Sequence, residues 1–213
     1  MSRVFLAVAL VFSGVLPADA LSVQEHPAHD HIGHVATAFP RTPGGEGLLP
    51  TAIAEVEIAI RHAGLAAGES GDLDAMKRHI SHVLHAVAAP EGSGGPGRGF
   101  GARRAAEGIA QHLELAATSD GASAAVQTQA AFGIVAARSI VQRADEIVAL
   151  TAGIQAAGAS AQAAPLVQEL QIAIGHLLTG VDESGDGRIY QDGEGGLSQV
   201  RQHVGFIMSA EGL

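Results

Sequence analysis

Apolar residues recur at intervals of three or four along most of the chain after Pro50, and this interval places them on one face of a helix. Helix start signals divide the pattern: Asp72 is a good N-cap residue, and Pro165 has the backbone angle that a first helical turn requires. No run of alternating apolar and polar residues predicts a strand. The pattern therefore predicts an all-α fold, a helical bundle of about six helices. The predicted apolar stripes are Ile53, Val56, Ile60 and Ala63; Leu73, Met76, Ile80, Val83, Leu84 and Val87; Ala105, Ile109, Leu113 and Ala116; Val126, Ala130, Gly133, Ala137, Ile140, Ala144, Ile147 and Thr151; Leu166, Leu170, Ala173 and Leu177; and Leu197, Val200, Val204 and Ile207.

The same pattern divides the chain into regions. Residues 51–213 form the predicted bundle domain, whose longest helix spans about Ser123 to Thr151. Residues 21–50 hold four histidines and several prolines, a composition that predicts a disordered arm. The glycine-rich segment 91–101 has no periodicity and predicts a flexible connector between two helices.

The N-terminus has the order of a secretory signal peptide. Arg3 precedes an almost unbroken apolar stretch from Val4 to Val15, and small residues end the segment at Ala20. The stretch is shorter than the ~20 residues that a membrane-spanning helix needs. We expect no later segment to be long and apolar enough to span a membrane, and therefore no membrane span in the mature protein. The sequence therefore predicts a signal peptide over residues 1–20 and a periplasmic or secreted protein.

Composition narrows the class of partner. The chain has no cysteine, so its stability must come from core burial, with bound metal as a further source. The formal net charge is −10 and no basic stripe is present, which argues against nucleic acid and anionic membranes. We therefore expect metal ions as partners, with another exported protein as an alternative.

Oxygen-bearing side chains alternate between the last two predicted helices. Asp182, Ser184 and Asp186 alternate, Gly187 follows where a sharp turn is needed, and Arg188 would offer its backbone carbonyl. Calcium takes about six to eight oxygen ligands, and alternating side chains in a tight turn converge on one point. The segment resembles the first two-thirds of an EF-hand or dockerin-type calcium loop. The resemblance implies a calcium site between these helices and nothing about the rest of the chain.

The end of this loop departs from the family. The position of the family's closing acidic ligand is Gly193, with Asp192 and Glu194 on either side. Asp192, Glu194 or water must then close the site. A single loop in an exported protein meets millimolar calcium, which favours a structural calcium site (a staple that holds the loop) over a regulatory sensor. An acidic turn that binds nothing is the alternative.

The chain's eleven histidines form the second candidate for metal binding. Four of them come immediately before a core position and therefore lie on the same flank of their apolar stripes. Adjacent helices could bring several of them together as a transition-metal or haem site, whereas four separate boundary histidines are the alternative. The four are His79, His112, His176 and His203.

Three histidines also step by three along the second predicted helix. His79 lies at the edge of the apolar face, and His82 and His85 point away from it. This stripe therefore cannot bring three imidazoles to one metal ion without help from another element.

The predicted arm carries a third group of histidines. They lie close enough in sequence for a flexible segment to wrap zinc, copper or nickel. An incidental histidine-rich tail is the alternative. The group consists of His26, His29, His31 and His34.

The motifs predict binding more strongly than catalysis. Neither a Gly-x-Ser-x-Gly nucleophile motif nor a His-Glu-x-x-His zinc motif occurs in the sequence. We expect an exported, non-catalytic metal-binding helical protein, with calcium in the acidic loop and zinc, copper or haem at the histidines. The alternatives are a calcium-stabilised interaction module of a periplasmic complex and a metal-dependent enzyme.

Overall fold

A computed structural model describes residues 26–89 and 95–213 of the chain. These residues form seven α-helices and contain no β-strand, so the predicted all-α bundle is confirmed. The predicted signal peptide, residues 1–20, lies outside the described residues. The helices are α1 Pro27–Ala36, α2 Leu48–Gly68, α3 Leu73–Val87, α4 Ala102–Thr118, α5 Ala124–Ala156, α6 Ser160–Thr179 and α7 Leu197–Glu211.

Helices α3 and α5 begin close to where the sequence predicts, because their N-caps are filled. The Asp72 carboxylate accepts a hydrogen bond from the Ala75 N–H at 3.0 Å. The Ser123 hydroxyl accepts one from the Val126 N–H at 3.1 Å. Each cap satisfies a backbone donor that the first helical turn leaves without a partner. Helix α6, by contrast, begins at Ser160, earlier than the proline that we expected to open it.

Helix α5 lies at the centre of the bundle and packs against α3, α4, α6 and α7. Small residues allow these helices to approach closely. A Cβ atom at Gly133 would lie only 2.7 Å from the Leu113 Cδ1 atom, so α5 can contact α4 at this point because residue 133 has no side chain. The core is therefore built from close helix contacts and many buried alanines rather than from large aromatic side chains.

Among the helices of the described residues, α5 is the one that is long and apolar enough to cross a membrane by length and composition. We expected no such segment after the N-terminus, and α5 corrects that expectation. The helix packs against four others, and its Arg143 is buried within the bundle. This is the setting of a core helix, and the absence of a membrane span stays a prediction.

The predicted disordered arm, residues 21–50, is wrong over the residues that form α1. Pro27 occupies the first helical turn, where its missing N–H is harmless. Ala28, Ile32 and Val35 lie on one face and are buried, and the helix packs mainly against α4. Three apolar residues make a short stripe, and only the contact with α4 turns it into a stable helix.

The described part of the glycine-rich connector, residues 95–101, is held in place by the buried Glu55 of α2. The Glu55 carboxylate accepts hydrogen bonds from the backbone N–H groups of Arg98, Phe100 and Gly101 at 2.9, 3.0 and 3.0 Å. The negative charge also lies near the start of α4, where the helix dipole favours it. Over these residues the segment is a fixed turn, not the flexible connector that we expected.

Candidate metal centres

Histidines from four helices form two compact clusters of three imidazole rings. In each cluster, one ring nitrogen from every histidine lies within 4.8 Å of the others. We call these clusters the first triad and the second triad. The first triad is His31 and His34 of α1 with His112 of α4, and the second triad is His62 of α2 with His79 and His82 of α3.

The rings of the first triad contact one another and pack against Phe39. His31 Nδ1 lies 3.1 Å from His112 Nδ1, and the ring centroids of His34 and His112 are 4.7 Å apart. Phe39 packs edge-on against His34 and His112, with centroid distances of 5.3 and 5.2 Å. His34 Nδ1 is buried and has no hydrogen-bond partner within the part of the chain that the structure describes. A buried polar atom of this kind calls for an explanation, and a bound ion supplies one.

The environment of the first triad keeps His112 neutral. Burial, followed by the nearby His34, His31 and Arg41, lowers the pKa of His112 from 6.5 to about 4. His112 therefore carries no proton on one ring nitrogen at pH 7. A neutral imidazole is the form that binds a metal ion.

The second triad repeats this contact pattern. His62 Nδ1 lies 3.1 Å from His79 Nδ1 and 3.3 Å from His82 Nδ1. Burial is the main cause that lowers the pKa of His62 and of His82, and the neighbouring histidines lower both values further. Positive charge adds to this effect, from Arg61 on His62 and from Arg78 on His82. His62 and His82 are therefore also neutral at pH 7.

The nitrogen spacing in both triads suits a single metal ion. Zinc–nitrogen bonds of about 2.0–2.1 Å place two ligands of a tetrahedral site about 3.3 Å apart. The Nδ1–Nδ1 distances of 3.1, 3.1 and 3.3 Å are close to that value. Three imidazoles would leave at least one coordination position open.

Both triads are built in the same way, from a His-x-x-His pair on one helix and a single histidine on a neighbouring helix. The three-residue spacing places the pair on one helix face, one turn apart. The residue that follows each of the six triad histidines in the chain is at most 1 % exposed. Each ring therefore lies on the flank of a buried stripe, where neighbouring helices meet.

The four predicted bundle histidines do not converge on one site. His112 lies in the first triad and His79 in the second. His203 Nδ1 instead lies 2.8 Å from Gln129 Oε1, and its ring belongs to neither triad. His176 lies in the last turn of α6 and is likewise outside both triads.

The four predicted arm histidines also separate, because two of them join the first triad and the other two do not. His29 Nε2 lies 2.8 Å from Glu211 Oε2, and Glu211 Oε1 accepts a hydrogen bond from the Ser123 hydroxyl at 2.6 Å. These hydrogen bonds, from Ser123 and then from His29, lower the pKa of Glu211. We call His29, Ser123 and Glu211 the α1 anchor, because they tie α1 to the ends of α5 and α7. His26 is the N-cap of α1, and its ring centroid lies 5.5 Å from that of His29.

The sequence analysis missed two candidate ligands, His82, which it placed away from the apolar face, and His62. His62 precedes Ala63, a core position of the first predicted stripe, in the same way as the four histidines that were singled out. His62 also supplies, from α2, the third ring that His79 and His82 of α3 need for a three-histidine site. The signal is not specific, since His176 satisfies it without joining a triad.

The acidic loop between α6 and α7 folds its carboxylates onto its own backbone. Asp182 accepts hydrogen bonds from the N–H groups of Gly185 and Gly187 at 2.7 and 2.8 Å. Asp186 accepts one from the Arg188 N–H at 2.9 Å. Gly187 has a φ of 82°, a left-handed conformation that glycine adopts without strain, so the turn forms where the sequence places it.

Glu194 closes this loop. Its carboxylate accepts hydrogen bonds from the Ser184 N–H at 3.0 Å and the Gln191 N–H at 3.1 Å. Burial alone would raise the pKa of Glu194, but these bonds and one from the Tyr190 N–H outweigh it and hold the pKa below its usual value. Of the two acidic residues expected to close the loop, Glu194 is turned inward, whereas Asp192 is exposed.

Arg143 of α5 fixes the loop against the bundle. Its guanidinium donates hydrogen bonds to the backbone carbonyls of His176, Gly193 and Gly195 at 3.2, 2.6 and 3.0 Å. These carbonyls lie at the end of α6 and just before α7, so one buried side chain holds both ends of the connection.

Comparison of the chain with models of protein families, with curated proteins and with solved structures found no match. The functional argument therefore rests on the geometry of the two triads and of the acidic loop.

Proposed function

We propose that the protein binds divalent transition-metal ions, one at each histidine triad. The observation that carries this proposal is the grouping of three imidazoles in each triad, with one nitrogen of every histidine within 4.8 Å of the others. The Nδ1–Nδ1 distances of 3.1 Å from His31 to His112, and of 3.1 and 3.3 Å from His62 to His79 and His82, suit ligands of one ion. The lowered pKa values of His62, His82 and His112 support it, because protons then compete weakly with the metal. The buried Nδ1 of His34 supports it as well.

The ligands favour a borderline metal ion. Imidazole suits zinc, copper(II) and nickel, whereas calcium and magnesium take oxygen ligands. Copper(II) should bind most tightly, in keeping with the general order of affinities of divalent ions. In each triad one nitrogen of every ring lies within 4.8 Å of the others, an arrangement that suits a single ion better than the broad plane of a haem.

We place this function outside the cytoplasm, as binding rather than catalysis. The support comes from the signal-like residues 1–20 and from the absence of cysteine in the whole sequence. An oxidising compartment converts thiols to disulfides, whereas imidazole ligands are unaffected. An all-histidine centre is therefore well suited to an exported metal-binding protein.

The metal content of the purified protein without residues 1–20 tests the proposal. After loading with Zn²⁺ and dialysis, the parent should retain about two ions per chain, one for each triad. The variant His31→Ala/His34→Ala and the variant His79→Ala/His82→Ala should each retain about one. His176→Ala is the matched control and should retain both.

Two results of this experiment would count against the proposal. If the parent retained no zinc, both triads would be structural, and calcium retained alone would favour the alternative of an interaction module. If the His176→Ala control lost as much zinc as the paired variants, the ions would not lie at the triads.

A second proposal concerns the acidic loop, which we infer binds calcium as a structural staple. Its support is the alternation of oxygen-bearing side chains and the inward position of the Glu194 carboxylate. Calcium should raise the melting temperature of the parent, and Asp186→Ala should abolish this rise because it removes a charged ligand. Asp120→Ala, at an exposed position outside the loop, is the control. No rise in the parent would refute the calcium proposal and leave the triads unaffected.

A further inference from the structure

Few apolar contacts hold helix α1 in the bundle. It buries three apolar side chains, Ala28, Ile32 and Val35, and one of these is an alanine. Its ten residues are fewer than the ~12–15 that an isolated helix needs to be even marginally stable in water. Helix α1 therefore depends on its contacts with the rest of the chain. Helix α3, by comparison, buries six apolar side chains: Ala75, Met76, Ile80, Val83, Ala86 and Val87.

Histidines make the polar contacts between α1 and the other helices. Among the described residues, two side-chain hydrogen bonds join α1 to the bundle, one between His29 and Glu211 and one between His31 and His112. The ring of His34 also packs against that of His112, with the centroids 4.7 Å apart. His31 and His34 belong to the first triad. The side chains that hold α1 on α4 are therefore the same ones that would hold the ion.

The segment that follows α1 is fixed by hydrogen bonds of its own. The Gly47 N–H donates a hydrogen bond to the Thr37 carbonyl at 3.0 Å, and a Cβ atom at residue 47 would lie only 2.6 Å from the Thr37 nitrogen. The Thr42 hydroxyl donates a hydrogen bond to the Phe39 carbonyl at 2.7 Å. Movement of α1 would therefore pivot at its C-terminal end, beside the start of α2.

We propose that α1 is a metal-dependent latch, which an ion in the first triad closes onto α4 and which opens from the bundle when the ion is lost. The inference rests on the proposed metal binding. Two of the three ligands, His31 and His34, lie on α1, so the helix cannot leave without breaking two metal–nitrogen bonds. The open form has lost the site, and mass action by the metal therefore favours the closed form. The position of α1 then reports whether the first triad is loaded.

The second triad has no comparable latch. Its ligands lie on α2 and α3, which have 21 and 15 residues and bury more apolar side chains than α1 does. An ion there would join two helices that the core already holds. Emptying the second triad should therefore leave the latch intact.

Hydrogen–deuterium exchange of the α1 amides tests the latch. The experiment uses the variant His79→Ala/His82→Ala, so that zinc acts at the first triad only. With a chelator, the α1 amides should exchange at least about tenfold faster than those in the middle of α5, because α1 opens without unfolding of the bundle. Free Zn²⁺ at about a hundred times its Kd should slow the exchange of α1 about a hundredfold.

Two further substitutions in this variant assign the effect to the first triad. His112→Gln removes the ligand on α4 and should abolish the effect of Zn²⁺ on α1 without changing the sequence of α1. His176→Ala, outside both triads, is the matched control and should leave the effect of Zn²⁺ unchanged. The comparison of Zn²⁺ with chelator needs neither substitution, so it holds even if His112→Gln impairs folding.

The outcomes separate the latch from the proposed function. If the variant His79→Ala/His82→Ala retains no zinc, the metal site at the first triad fails, and the latch fails with it. If it retains about one ion and α1 exchanges equally with and without Zn²⁺, the latch alone is overturned. Exchange of α1 as slow as that of α5 in the presence of chelator would also overturn the latch, because α1 would then be a permanent part of the core.

Discussion

Each triad offers three imidazole rings, but the two triads occupy different positions in the fold. In the first triad, the contact between His31 and His112 joins residues 81 positions apart in the chain. In the second triad, His62 lies only 17 and 20 positions from its partners. The first triad also borders a cavity and the ring of Phe39. The second triad instead lies near Arg61 and Arg78, which belong to the same two helices as its histidines.

Three histidines of the same kind can therefore have different consequences for the fold, depending on which helices they join. An ion in the second triad would reinforce two helices that already follow one another in the chain. An ion in the first triad would fix α1 onto α4 and close a longer loop, a difference in chain entropy of about 1 kcal/mol. The first triad is therefore the one that can couple metal binding to the position of a helix.

The single histidine of each triad offers the strongest test of their independence. His112→Gln should lower the metal affinity of the first triad more than about a hundredfold, because a direct ligand is lost and not merely an outer contact. His62→Gln should do the same to the second triad. Isothermal titration of each variant should show one weakened site and one unchanged site. If either substitution weakened both sites, the triads would form one coupled centre.

Substitution of Glu55 should affect the metal affinity of the first triad but not that of the second. Glu55→Ala leaves three backbone N–H groups without their acceptor and should lower the free energy of unfolding by about 3 kcal/mol. The released segment leads into α4, which carries His112, so metal affinity should fall at the first triad only. Denaturant unfolding and metal titration measure the two effects.

The matched control for this prediction is Glu57→Ala, an exposed position on the same helix. It should change the free energy of unfolding by less than about 0.5 kcal/mol. Equal destabilisation by the two substitutions would show that Glu55 is not the residue that holds the connector.

Disruption of the α1 anchor should lower the metal affinity of the first triad less than the loss of a direct ligand does. Glu211→Gln removes the charge that His29 and Ser123 bind, and it should lower the metal affinity of the first triad severalfold, or about 1 kcal/mol. The second triad should be unaffected, since neither of its helices carries an anchor residue. Glu169→Gln, at an exposed position of α6, is the control. An equal loss at both triads would contradict this role of the anchor.

A further effect should appear as a pH dependence of the metal-free protein. The pKa of His112 is about 4 in the folded chain, below its ordinary value of 6.5, so the unfolded chain binds more protons between these pH values. The stability that His112 contributes is complete above pH 6.5 and is lost as the pH falls towards 4. His112→Gln should therefore flatten the decrease in stability over this window, as denaturant unfolding in the presence of a chelator can show. Parallel curves for parent and variant would contradict the lowered pKa.

Much of the fold could be predicted from the sequence, because apolar spacing reports directly on which helix face is buried. Met76, Ile80 and Val83 form a predicted stripe and are fully buried. Helix α1 could not be predicted in this way, since its stripe has only three residues and depends on a distant helix. The connector was misjudged for a similar reason, because its acceptor, Glu55, lies some forty positions earlier.

The candidate sites were only partly predictable. His79 and His112 were recognised by their places beside core positions, but periodicity within a helix does not say which helices are neighbours. The third ligand of each triad comes from another helix, and the pairing of α1 with α4 is a long-range property of the fold. The sequence therefore identified suitable ligands without assigning them to their sites.

An anomalous difference map from crystals grown with Zn²⁺ tests the central claim most directly. We expect one peak at each triad, within about 2.1 Å of three imidazole nitrogens. Peaks on isolated histidines or on the acidic loop, with none at either triad, would contradict the assignment of the triads as metal centres.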